Sequence, residues 1–166
     1  MAEHNRLVAI IFMLVACISS AVASETVNFQ HLSLNSMFPQ ITINGLYQDE
    51  SGVLWIGTKD GVKKYNGNYI ESVNFMGINN WIQSNLVPTI CGDKKGHLYV
   101  NTDYSIIEYD LIKEESRIIF SQPNTQILPS IAFNYGINSL WIGLLDSVYN
   151  YKEGICQAKY KIDSNN

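Results

Sequence analysis

Apolar residues along this chain come in short runs, punctuated by Gly, Asn and Asp, and the pattern returns at a fixed interval. The clearest run lies in residues 49–67. Asp49 to Gly52 reads as a turn, because Asp can bond its own backbone two residues on and Gly accepts positive φ. Val53 to Thr58 is β-branched and aromatic, and too short for a helix. Asp60-Gly61 and Asn66-Gly67 are hairpin signals, and Val62 to Tyr65 between them is a second strand. Tyr69 to Phe75 begins a third strand, and Ile41 to Gln48 precedes the stretch. This predicts a four-stranded meander. Gly57 inside a strand predicts close approach of another backbone or sheet.

The pattern recurs twice. Asp49-x-x-Gly52-x-Leu54-Trp55-Ile56-Gly57-Thr58 returns as Asp93-x-x-Gly96-x-Leu98-Tyr99-Val100-Asn101-Thr102. It returns again, altered, from Tyr135 through Asn138 to Leu140-Trp141-Ile142-Gly143-Leu144. Trp55 to Tyr99 is 44 residues and Tyr99 to Trp141 is 42. The strand ending in Tyr65 is matched by Ser105 to Tyr109 and by Ser147 to Tyr151. A period of this size with four short strands per unit is that of a β-propeller blade. The fold class is therefore all-β, with about three four-stranded antiparallel repeats forming an incomplete propeller. Blades are expected at about 29–75, 76–120 and 121–160, within a domain over 24–166. One sheet cannot cover both of its faces, so Trp55, Tyr99 and Trp141 are expected in cores between blades. Ile41 to Tyr47, Val87 to Cys91 and Ile127 to Phe133 would lie innermost, and Phe29 to Ser33 reads as a lead-in outer strand. Asn138 stands where Gly does elsewhere, in a left-handed conformation that Asn tolerates.

Phe29-x-x-Leu32-Ser33, Pro39 and the run from Asp49 through Trp55 and Gly61 to Tyr65 resemble the two-component regulator propeller repeat. Met37-Phe38 departs from the Gly-Leu usual before the Pro. That resemblance implies the extracytoplasmic sensor region of hybrid two-component histidine kinases, common in Bacteroidetes, and it implies carbohydrate sensing. Such proteins usually carry further propeller blades, a membrane helix and a kinase. This chain shows no phosphoacceptor His motif, ATP-binding Gly box or receiver Asp, so it reads as a fragment of a longer sensor. Three blades do not close a ring, and an open sheet face is an association hazard. The partners expected are the remaining blades or a second copy.

The first residues differ from the rest. His4 and Arg6 precede an apolar run from Leu7 to Ile18, and Ala21-Val-Ala23 fits a cleavage site, so residues 1–23 read as a signal peptide. The run is short of the roughly twenty apolar residues of a membrane span. Leu14-Val-Ala-Cys17 also fits a bacterial lipobox, with Cys17 as the lipidated residue. Cleavage, lipidation and an uncleaved anchor all place the rest of the chain outside the cytoplasm, in the periplasm or beyond. Any membrane attachment runs through this leader alone.

The net charge of −4, with only isolated Lys pairs, excludes a nucleic-acid surface. Cys91 and Cys156 read as free thiols, although an oxidising compartment permits their pairing. No metal, cofactor or catalytic set is indicated. Asp49, Asp60, Asp93, Asp103 and Asp146 sit where turn chemistry explains them, and no Ser or Cys has a His partner at a matching repeat position. The chain is expected not to be an enzyme.

A binding role fits better. Loops between blades and loops between second and third strands share one propeller end. Trp81, flanked by Asn79 and Asn80, offers an aromatic face with amides, suited to a sugar. Packing of Trp81 into a neighbouring blade is the competing reading. Asp60 and Tyr104, in the second-to-third-strand turns, complete the candidate ligand set. The alternative function is a secreted or lipid-anchored propeller for protein or polysaccharide binding, or a truncated chain without function.

Overall fold

The computed structural model describes residues 4–6, 42–75, 85–121 and 129–161. The chain divides into two units, Met1–Ser33 and Leu34–Asn166. Of the first, His4 to Arg6 is described, as exposed helical residues. The cleavage and lipidation signals, the lead-in strand from Phe29, much of the loops between blades and the polar tail lie outside the described residues.

The second unit holds three four-stranded antiparallel sheets, each in chain order. Sheet 1 is β1 (Ile43–Gln48), β2 (Leu54–Thr58), β3 (Gly61–Tyr65) and β4 (Ile70–Val73). Sheet 2 is β5 (Thr89–Gly92), β6 (His97–Asn101), β7 (Ser105–Asp110) and β8 (Glu115–Ser121). Sheet 3 is β9 (Ser130–Asn134), β10 (Ser139–Gly143), β11 (Ser147–Lys152) and β12 (Ile155–Lys161). The first strands of successive sheets lie side by side, β1 against β5 and β5 against β9. They are the innermost strands, as the apolar lead-ins to each motif predict. Among the described residues the sheets form no closed ring. The architecture is an incomplete β-propeller.

Two cores lie between the sheets. Trp55, Val62 and Phe75 of the first blade meet Val87, Ile90, Leu98, Val100, Ile107 and Tyr109 of the second. Tyr99 and Ile106 meet Ile131, Leu140, Ile142 and Tyr151 of the third. Each Leu, Ile or Val so buried contributes about 2 kcal/mol of transfer free energy. Burial of the repeating large residue depends on a following sheet. Trp55 and Tyr99 are each 5% exposed. Trp141, on the outward face of sheet 3, is only half-buried. At the other end Leu98 and Leu140 are fully buried and Leu54 is half-buried, while Ile56, on the same face as Leu54, is 5% exposed. Sheet 2, covered on both faces, is buried along β7 from Ser105 to Tyr109.

Gly57 is explained by its neighbour. A Cβ there would stand 2.9 Å from Val87 Cγ1 and 3.2 Å from Val87 O. The Val87 N–H donates to Thr58 O at 2.9 Å, so the chain entering sheet 2 is fastened to the end of β2. Asn138 has φ of 51°, the left-handed conformation read from its place in the repeat.

Candidate ligand-binding face and inter-sheet grooves

The turns of the repeat are built by side chains that accept from their own backbone. Asp49 Oδ1 accepts from the Ser51 N–H at 2.9 Å, the Ser51 hydroxyl at 2.6 Å and the Val53 N–H at 3.0 Å. Its Oδ2 accepts from the Trp55 indole N–H at 2.8 Å. Burial by itself would raise the carboxyl pKa, but the bonds from Ser51, Trp55 and Val53 outweigh it and hold it below 3.8. Asp93 makes the same turn with the N–H groups of Lys95 and His97, at 2.7 and 3.0 Å. Tyr99 replaces the indole there, and His97 Nδ1 takes the free carboxylate oxygen at 2.7 Å. In the third blade Asn134 Oδ1 accepts from the Gly136 N–H at 3.0 Å. These acids are fully used in holding turns.

The β2–β3 turn is fastened by Thr58, whose hydroxyl donates to Gly61 O at 2.7 Å and accepts from the Asp60 N–H at 2.9 Å. Thr102 repeats this with Ser105 O at 3.0 Å and the Tyr104 N–H at 3.4 Å. Asp60 and Tyr104 therefore occupy the same turn position in neighbouring blades. Asp60 is exposed, with its Oδ2 3.6 Å from Lys63 Nζ; Tyr104 is half-buried. The Gly61 N–H donates to Asn85 O at 2.7 Å, so this turn and the chain leading into sheet 2 share one end of the propeller. Trp81, Asn79 and Asn80 lie outside the described residues.

At this end stand Asp103, read from the sequence as a turn acid, and Asn101, which carries no such reading. Asn101 Oδ1 and Asp103 Oδ1 are buried without a hydrogen-bond partner. Asn101 Nδ2 donates to Pro129 O, where the chain enters sheet 3. The available signal is that Asn101 stands in the strand position held by Gly57 and Gly143 in the other blades. Buried acceptors of this kind are where a hydroxyl or a water is expected to bind.

The opposite end carries two equivalent grooves. Between sheets 1 and 2 a cleft of about 420 Å³ is lined by Trp55, Tyr109, Lys64, Lys95, Glu50 and Glu114, among others. Between sheets 2 and 3 a cleft of about 290 Å³ is lined by Tyr99, Tyr151, His97, Glu108 and Arg117, among others. Each has an aromatic floor and an ion pair spanning the third and fourth strands, with the charges exchanged. Lys64 meets Glu71 at 2.9 Å in sheet 1, and Glu108 meets Arg117 in sheet 2. The hydrogen bond to Glu71 raises the Lys64 pKa, and that to Glu108 raises the Arg117 pKa. Arg117 Nη2 donates to the Tyr151 hydroxyl at 2.8 Å, and that hydroxyl donates to Glu108 at 3.3 Å. Burial first, then the Glu108 charge, pushes Tyr151 up to about 12. This network joins two blades and leaves no strong base unpaired. Among the described residues no group of three His, Cys, Asp or Glu could hold a metal ion. No described helix is long and apolar enough to cross a membrane.

The comparisons define the class first. The extracellular domain of the candidate hybrid two component system BT3049 from B. thetaiotaomicron superposes with a TM-score of 0.61 at 21% identity, over 84% of this chain and 19% of that one. The extracellular domain of BT4673, a candidate hybrid two component system from the same organism, gives 0.60 at 16%, over 73% and 17%. A selenomethionine-substituted virginiamycin B lyase from Staphylococcus aureus gives 0.57 at 14%, over 74% and 42%. These likenesses establish a β-propeller scaffold, and the chain spans under a fifth of the two B. thetaiotaomicron domains. Residues 37–60 then match the family model of the two component regulator propeller. Over those residues, which include Trp55, the chain is similar to that family's repeat. A comparison with curated protein sequences finds no match.

Proposed function

We propose that this chain is the extracytoplasmic input segment of a two-component regulatory system and that its ligand is a carbohydrate. The match of residues 37–60 to the two component regulator propeller carries the reading. Similar solved structures are extracellular domains of candidate hybrid two component systems, which supports a place outside the cytoplasm. The signal peptide over 1–23 supplies the route, and Cys17 an alternative lipid anchor. The ligand meets the propeller end that carries Asp60 and Tyr104, with Trp81 as the stacking surface and Asn79 and Asn80 as hydroxyl partners. Asn101 and Asp103 add two buried acceptors near Tyr104. The chain itself performs no chemistry in this reading. Binding shifts the balance between signalling states of the receptor it serves.

Two measurements test the two halves. On an oligosaccharide array the purified chain should retain at least one glycan, and Trp81→Ala should weaken that binding by about thirtyfold, the cost of losing a central aromatic contact. Silence across the array removes the carbohydrate assignment. Reading the gene past Asn166 tests the sensor role separately. A frame that runs on into a membrane helix and a kinase supports it, and a stop followed by unrelated genes sinks it.

A further inference from the structure

The second blade departs from the repeat at two positions on one end of sheet 2. Asn101 is the last residue of β6, where the other blades carry Gly57 and Gly143. Asp103 follows two residues on, in the turn position of Lys59 and Leu145. Lys59 is exposed and Leu145 is fully exposed, whereas Asp103 is 6% exposed and Asn101 is fully buried. Each of the two carries an oxygen that no donor reaches, Asn101 Oδ1 and Asp103 Oδ1. The Asn101 amide is fixed, because its Nδ2 donates to Pro129 O and the reverse orientation would set two oxygens against each other. That bond clamps the chain entering sheet 3 and leaves Oδ1 without a task. Asp103 makes no ion pair with a described Lys or Arg. The segments on either side of sheet 2 in the sequence, 76–84 and 122–128, contain neither residue type.

We propose that Asn101 Oδ1 and Asp103 Oδ1 belong to a site for a hard cation of the calcium class. Buried carboxylates are paired or coordinate a metal, and Asp103 has no pair among the described residues. Carboxylate and amide oxygens are the donors that calcium takes, at about 2.3–2.6 Å, with carbonyls and waters filling the rest of its shell. Residues two apart have Cα atoms within about 7 Å, so one ion can meet both oxygens. Neither oxygen exposes surface to water. A metal contact is shorter than the hydrogen bond of about 2.8 Å that a water would make, which favours the ion over the water. One carboxylate with one amide offers no His or Cys nitrogen or sulfur, so zinc is not the fit. A single negative charge makes the site weak, with a Kd of about 10⁻⁴–10⁻³ M, the range of extracellular modules. The cation does not depend on the carbohydrate reading. What rests on that reading is only its further use: the ion presents open positions to sugar hydroxyls near Tyr104.

Terbium luminescence of the purified chain tests the site, with terbium standing in for calcium and Tyr104, next to Asp103, as the antenna. The wild type should give sensitised emission that millimolar calcium displaces and an equal concentration of sodium does not. Asp103→Asn keeps the shape and removes the charge, and should weaken calcium binding by about tenfold or more with unchanged β-sheet circular dichroism. Asn101→Gly, which restores the residue of the other two blades, should weaken it similarly. Should Asn101→Gly lose its β-sheet signal with the Pro129 clamp, thermal melts of the wild type and Asp103→Asn decide instead. Calcium at about 10 mM should raise the wild-type Tm and leave that of Asp103→Asn unmoved. A wild type whose emission and Tm both ignore calcium overturns the proposal. So does calcium binding that either folded variant leaves unchanged. A calcium-indifferent wild type that melts below Asp103→Asn would assign the carboxylate to burial alone, and overturns it as well. No glycan enters these measurements, so silence on the oligosaccharide array and failure of the cation site are separate results.

Discussion

At the residue scale the repeat survives by moving a donor. Asp49 uses the Trp55 indole for its second carboxylate oxygen, and Asp93, facing a Tyr, uses His97. Asp49→Asn keeps an acceptor for the turn but sets an amide N–H₂ against the buried indole N–H. Leaving that donor without a partner is expected to cost about 1–3 kcal/mol, read from the urea midpoint. The folded carboxyl pKa of Asp49 is depressed, so its bonds stabilise the fold above the ordinary 3.8 and lose that contribution as pH falls below it. Asp110, held down to about 2 by the Lys113 N–H and side chain, follows the same sign between its ordinary 3.8 and about 2. Asp49→Asn should therefore lose less stability than the wild type between about pH 6 and pH 3. The turn role of these acids was legible because it is local: two to four residues separate acceptor and donor. The exchange of indole for imidazole was not, since it needs the side-chain directions along a strand.

At the element scale the joints depend on close approach. Gly57→Ala places a methyl against Val87 Cγ1 and Val87 O and should destabilise the chain by about 2 kcal/mol, with partial recovery in Gly57→Ala/Val87→Ala because the carbonyl stays. Circular dichroism melts of the four proteins give the cycle. The glycine inside β2 announced this contact, and only the identity of Val87 had to come from the fold. The ion pairs Lys64–Glu71 and Glu108–Arg117 were hidden, because they depend on which residues face each other across β3–β4 and β7–β8. Cys91 lies on the innermost strand of sheet 2 and Cys156 on the outermost strand of sheet 3, and both are free thiols. Burial pushes the Cys91 thiol up to about 12. Thiol alkylation at about pH 8 should accordingly leave Cys91 unmodified until denaturant opens the second core.

At the scale of the whole molecule the architecture was legible because it repeats. A period of 44 and 42 residues appears in the sequence whatever the details of each turn. The ligand face was less so, since its loops carry no period and their side chains answer to the ligand rather than to packing. Among the described sheets, sheet 2 alone has another sheet packed on each face, and this unevenness has a kinetic consequence. Opening sheet 1 or sheet 3 uncovers one core, while opening sheet 2 uncovers both, so resistance to local opening should rise from the ends toward β6 and β7. Amide hydrogen exchange followed by mass spectrometry should find the slowest protons at Leu98 to Val100 and Ile106 to Glu108. The amides of β1 and β12 should exchange first. A chain built of equal repeats would in this way keep time unequally along its length.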